Sequence, residues 1–264
     1  CLINVSNETK ETMTVDFFMT SLKKGVSHDF NQVIQPIHVN SGFSSLGGEM
    51  YIRVYRKEEW MKVFIHECFH AFNMDFHEER LNFKNIFHHI FHIDSDFLVF
   101  ESFVEFWAKI LNCALFTYQL KPQMTLSQFY DIFALNLNIE RIHSLLQASK
   151  ILKLFDLTYS DVVNEEKKAI CKTIYKEETN SFCYYVITAV LMNFFDKTLQ
   201  WFDVYNVDLF QFDKNERHVL IFCYYIRQIA NNKKLIDLMD ELSEIVDIKT
   251  DHSMKLSLFE IQLK

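Results

Sequence analysis

Only four glycines and two prolines interrupt 264 residues. These are the strongest local breakers, so a chain this poor in them runs mostly as helices joined by short polar turns, which argues against an all-β fold. Three of the four glycines fall in one stretch, Ser41 to Gly48. Runs rich in β-branched and aromatic residues flank it at 33–39 and 49–55 and read as two strands. The expected fold class is therefore mainly α, an α+β chain with a small N-terminal sheet. With 49% hydrophobic residues and 27 phenylalanines, a chain of this length can bury a substantial core.

After the second run comes Val63-Phe-Ile-His-Glu-Cys-Phe-His-Ala-Phe72, which contains an H-E-x-x-H pattern at His66, Glu67 and His70. Met61, Phe64, Ile65, Cys68, Phe69 and Phe72 follow the i, i+3, i+4, i+7 rule and give this helix one apolar face. His66, Glu67 and His70 fall on the other, where two imidazoles one turn apart can share a Zn²⁺ beside a carboxylate base. Such a face meets either water or an internal cleft. The carboxylates Glu58 and Glu59 sit at the helix start, where they oppose its dipole favourably.

A second helix begins near Phe100. Glu101, Glu105, Ala108 and Asn112 form its one narrow polar stripe, and aromatic and aliphatic residues cover the rest. Two carboxylates on a mostly buried helix need a partner or a metal, because an unpaired buried charge is costly. These two helices resemble the gluzincins, the thermolysin-like zinc metallopeptidases in which a Glu from a later helix completes H-E-x-x-H. The resemblance implies a zincin-like lobe, one Zn²⁺ per chain held by His66, His70 and Glu101, and Glu105 as the carboxylate that orients an imidazole. It also implies a protein or peptide substrate, with Glu67 as general base toward a zinc-activated water. The chain departs from the family in a 30-residue gap between His70 and Glu101 and in a Glu where the supporting residue is commonly Asp. The metzincin pattern fails, since Asn73 and Phe76 stand where it needs Gly and His, and His77 is one residue out of register.

A peptidase of this kind also needs a donor for the oxyanion. The candidates are Tyr184, Tyr185, His218, Tyr224 and Tyr225, of which Tyr185 is preferred. His88 and His92, spaced i, i+4, are candidates for a second metal, and Asp94 and Asp96 rival Glu105 as imidazole supports. The run from Tyr55 to Glu67 is similar to metallopeptidase-like proteins of large DNA viruses, which the Phe-, Lys- and Asn-rich composition suits. Two other readings stay open: a catalytically silent zincin scaffold with a structural or virion-assembly role, and a helical interaction protein in which the motif is accidental.

From residue 98 onward the pattern is helical. Helices are expected near 126–135, 138–155, 161–176, 181–200, 214–230 and 234–246, with capping boxes at Thr125 and Asp213, an N-cap at Ser160 and a closing strand at 255–263. Residues 1–30 are polar and mixed and offer no chemistry. Two lobes follow, 1–120 with the sheet and metal helices and 121–264 as a helical lobe closing the cleft, or else one compact domain. A net charge of −8 gives no footprint for nucleic acid. No apolar stretch is long enough for a membrane span. Six scattered cysteines without a C-x-x-C pair favour a reducing, intracellular (cytoplasmic) setting, and the viral similarity adds packaging in a virion.

Overall fold

The computed structural model describes residues 12–26, 33–45, 50–77, 81–206 and 208–262. Cys1, the glycine-rich tip at 46–49 and the last two residues lie outside them. Three strands form the sheet: β1 (Met13–Thr20), β2 (Gly42–Ser44) and β3 (Met50–Arg56). Their order is β1-β3-β2, with β1 parallel and β2 antiparallel to β3. In β3 the side chains of Met50, Ile52 and Val54 go inward while Tyr51 and Arg53 go outward, the period-2 pattern of a half-buried strand.

The first expected strand is corrected. Within 33–39, Ile34 forms only an isolated bridge to Glu177, and a short helix α1 (Pro36–Val39) follows, with Pro at its first position. The stretch read as a connection instead contributes β2, and residues 13–20, read as featureless, form β1. β1 lies at the sheet edge and exposes Phe17 and Phe18, so it lacks a clean alternation.

Beyond the sheet the described chain is helical. α2 (Trp60–Ala71) packs on β2 and β3, and α4 (Phe100–Leu120) packs on α2, with the short α3 (Phe83–Phe87) between them in sequence. α5 (Leu126–Lys153) is one long helix where two were expected. Asn136, in the gap between the two expected ranges, is helical, and its amide donates to Thr117 Oγ1 of α4 at 3.0 Å. The Thr125 capping box is present. α6 (Tyr159–Val163) is capped by Thr158, not Ser160, and is separated by a 3₁₀ turn from α7 (Lys168–Ile174). The expected helix at 181–200 divides into a π-helical turn, Phe182–Ile187, then α8 (Thr188–Asn193) and α9 (Phe195–Tyr205). α10 (Glu216–Ala230) takes Asn215 as its cap, because Asp213 is occupied by His218. α11 (Lys233–Ile245) ends the helical series.

The closing strand is also corrected. Residues 251–262 form an extended strap whose backbone groups are satisfied mainly by side chains instead of a neighbouring strand. Asn112 Nδ2 donates to Phe259 O at 2.9 Å, Glu140 Oε2 accepts from Leu258 N at 3.0 Å, and Trp60 Nε1 donates to Ile261 O at 2.8 Å. Lys109 reaches Leu256 O, and Glu59 accepts from Ser257 N. One continuous apolar core joins both expected lobes, running from Val26 and the strands through α2 and α4 to Phe222, Met239 and Phe259. No helix among the described residues is long and apolar enough to cross a membrane.

Candidate metal centre

Both faces of α2 are inside the molecule. Ile65, Cys68 and Phe69 enter the core, while His66 and Glu67, on the opposite side, are each only 7% exposed. The polar face therefore meets an internal site, not bulk water. α4 crosses it and brings Glu101 to the two imidazoles. His66 Nε2 and His70 Nε2 lie 3.1 Å apart, and Glu101 Oε2 lies 3.3 Å from the first and 3.2 Å from the second.

The other ring nitrogens are committed. His66 Nδ1 faces Glu105 Oε2 at 3.1 Å, and His70 Nδ1 faces Asp75 Oδ2. A carboxylate only accepts, so each Nδ1 carries the proton, and a ring that gives up its Nε2 proton would turn that lone pair inward. Two Nε2 atoms and a carboxylate oxygen thus converge, an arrangement that a proton shared among them or a metal ion satisfies. A tetrahedral zinc with Zn–N and Zn–O arms of about 2.0–2.1 Å separates its donors by about 3.3 Å. The observed triangle fits that ion. His66, His70 and Glu101 also form one of two such donor groups among the described residues, the other being His70, Asp75 and His77.

Without a metal, the same contacts favour the protonated imidazoles. Burial would lower both imidazoles, but hydrogen bonds donated to Glu101 and Glu105 raise His66, and the charges of Asp75 and Glu101 raise His70 well above its usual range. Burial would raise Glu101, yet His70 and His66 hold it down to about 2. Glu105 is depressed further, by Lys62 first and then by His66, against the cost of its burial. Lys62 Nζ lies 2.9 Å from both Glu105 oxygens. It anchors the carboxylate that orients His66.

Asp75 is the residue that sequence reasoning missed. It lies in the turn after α2, beyond Asn73 at φ 52°, and is wholly buried. One oxygen takes His70 and the other takes the His77 ring and backbone N–H. His77, out of register for the zinc, is thus held against the same carboxylate at the cleft wall. An acid just past the second His was the signal available.

The remaining candidates divide clearly. Tyr185 is not at the centre, since its hydroxyl donates to Met254 O at 2.5 Å on the far side of the π-helical turn. Tyr184 is the tyrosine beside the candidate ligands, its ring 5.9 Å from that of His66. Burial, then the nearby Glu101 and Glu67, raise its hydroxyl far above the usual range, so it keeps its proton. His218 pairs with Asp213, Tyr225 with Thr198, and Tyr224 is exposed. His88 and His92 belong to no three-donor group among the described residues. His92 Nδ1 faces the backbone oxygen of His88, and Asp94 and Asp96 pair with Lys84. Glu58 and Glu59 are buried anchors, not solvated first-turn acids: Glu58 accepts from Lys24 N and Glu59 pairs with Lys24 Nζ.

A cleft of about 290 Å³ opens onto the triad. Phe43, Phe100 and Tyr184 supply its apolar surface, and Gly42 and Ser44 of β2 form one rim. Compared with known proteins, the chain matches no family model, no curated protein and no solved structure.

Proposed function

We propose that this chain is a zinc-dependent metallopeptidase with a protein or peptide substrate. The observation that carries the reading is the convergence of His66, His70 and Glu101, each imidazole backed by its own buried carboxylate. Carboxylate–histidine pairs of that kind fix ring tautomers and raise ligand basicity in zinc sites. Zinc bound there supplies Lewis acidity, which polarises a carbonyl and acidifies water.

The chain's own groups supply the rest. Glu67 lines the same cleft without belonging to the donor triad, and it takes a proton from the attacking water and returns it to the leaving amine. Tyr184 keeps its proton and donates to the oxygen on which charge develops. The open edge of β2 holds an extended peptide by backbone pairing. The five described cysteines are free and buried, which suits a reducing intracellular setting.

The test is elemental analysis of the purified protein, followed by a peptide-library digest. The expected result is one zinc per chain and turnover that disappears in Glu67→Gln while zinc stays bound. Absence of zinc after purification without chelators and after reconstitution would overturn the proposal. Zinc without Glu67-dependent turnover would leave the silent scaffold.

A further inference from the structure

We infer that Ser44 is a positioning residue that holds Glu67 through its side chain and the substrate through its backbone, coupling peptide docking to the general base. The inference rests on the peptidase reading above for the role of Glu67, and on β2 for everything else.

The first observation is a hydrogen bond: Ser44 Oγ donates to Glu67 Oε2 at 2.8 Å. A donor on one carboxylate oxygen fixes the rotation of the group and directs the other oxygen. Ser44 belongs to the sheet and Glu67 to α2, so the bond ties the two elements at the cleft.

The second observation is how closely β2 is pressed on α2. A Cβ at Gly42 would lie 2.7 Å from Val63 Cγ1, 2.8 Å from Arg53 O and 3.5 Å from Glu67 Cγ. Only glycine allows this approach. Two residues on, with the same facing, a serine hydroxyl comes within reach of Glu67.

The third observation is the direction of the β2 backbone. Ser45 N donates to Tyr51 O and Tyr55 N donates to Ser41 O, so residues 41, 43 and 45 spend their backbone groups on β3. In an antiparallel pair the intervening residues point the other way. Gly42 and Ser44 therefore present N–H and C=O to the open edge, and both line the cleft. A peptide adding to that edge pairs with the same residue that holds the base, so its register along the strand is set relative to Glu67.

The experiment has two arms. In the metal-free protein, the ¹³C resonance of the Glu67 carboxyl is assigned by its loss in Glu67→Gln. It is expected to move in Ser44→Ala and to return in Ser44→Thr, which restores the hydroxyl. A resonance unmoved by Ser44→Ala overturns the inference, whatever the wild type does to peptides. In steady-state kinetics on a cleaved peptide, Ser44→Ala is expected to lower kcat about 10²-fold with KM and zinc content unchanged, and Ser44→Thr to recover most of the loss. A loss confined to KM, or accompanied by zinc loss, also overturns it. Wild-type protein that binds zinc yet cleaves no peptide defeats the peptidase reading instead, and does so independently of the resonance.

Discussion

His66 and His70 aim their Nε2 atoms at each other across 3.1 Å, with both Nδ1 atoms turned to buried carboxylates. On the proposed reading a zinc ion sits among these atoms, where the metal-free chain needs a proton. Elemental analysis should therefore find one zinc per chain in the wild type and none in Glu101→Ala. Asp75→Asn and Glu105→Gln keep all three donors but weaken the groups behind them, so zinc affinity should fall about 10–100-fold, measured by competition with a chelating dye. Equal affinity in Asp75→Asn would remove Asp75 from the site.

Metal removal should also destabilise the fold. A ligand bound only by the native state raises stability with its concentration over Kd. Without zinc, the converging donors must take up protons or separate. Calorimetry with and without a chelator should show a lower melting temperature for the chelated protein, and the gap should vanish in Glu101→Ala. An unchanged wild-type melting temperature would mean that the native chain does not bind the ion tightly.

The adjacent tyrosines predict opposite phenotypes. Tyr184→Phe should lower kcat about 10²–10³-fold with little change in stability, because it removes the hydroxyl proposed to stabilise the developing charge. Tyr185→Phe should leave kcat alone and cost about 1–3 kcal/mol in denaturant unfolding, because it leaves the buried Met254 carbonyl without its donor. The reverse pattern would mean that the two roles are exchanged.

How far these residues were legible depends on whether their position follows from a regular period. His66, Glu67, His70, Glu101 and Glu105 all sit on helices, where spacing determines which of them share a face, but joining the two helices into one site came from the gluzincin resemblance. Choosing between Tyr184 and Tyr185 needed the local pitch. The two stand side by side on a π-helical turn, Phe182–Ile187, whose pitch no pattern in the sequence announces. Asp75 sits in an irregular turn, whose path no periodicity describes. The strap at 251–262 looks like a strand because it is extended, but its hydrogen bonds go mainly to side chains such as Asn112 and Glu140, which a local pattern cannot reveal.

Gly42→Ala should test how β2 is seated. The added methyl meets a backbone oxygen at 2.8 Å as well as Val63, so the strand must shift from α2. Crowding of this kind costs about 1–3 kcal/mol. The expected result is a lower urea midpoint together with reduced kcat, because displacement of β2 carries Ser44 with it. A variant of wild-type stability and activity would show that β2 is free to move without consequence for Glu67.

Acid should loosen the join between the start of α2 and the strap through Glu59. This carboxylate is buried with Lys24 Nζ at 2.9 Å and accepts from Ser257 N. Burial alone would raise it, but Lys24 and Lys62 outweigh burial and depress it from 4.5 to about 2. A group with a depressed folded value binds fewer protons folded than unfolded, so stability rises with pH across the interval between the two values. The contribution of Glu59 is thus fully present above pH 4.5 and is lost as the pH falls toward about 2. Glu101 is held down in the same direction and adds to the slope. Glu59→Gln strands Lys24 in the interior and should cost about 3–5 kcal/mol near neutral pH. The variant should then lose less stability than the wild type on acidification through that window. Urea midpoints at several pH values would measure both slopes, and parallel curves would show that Glu59 does not carry the charge assigned to it.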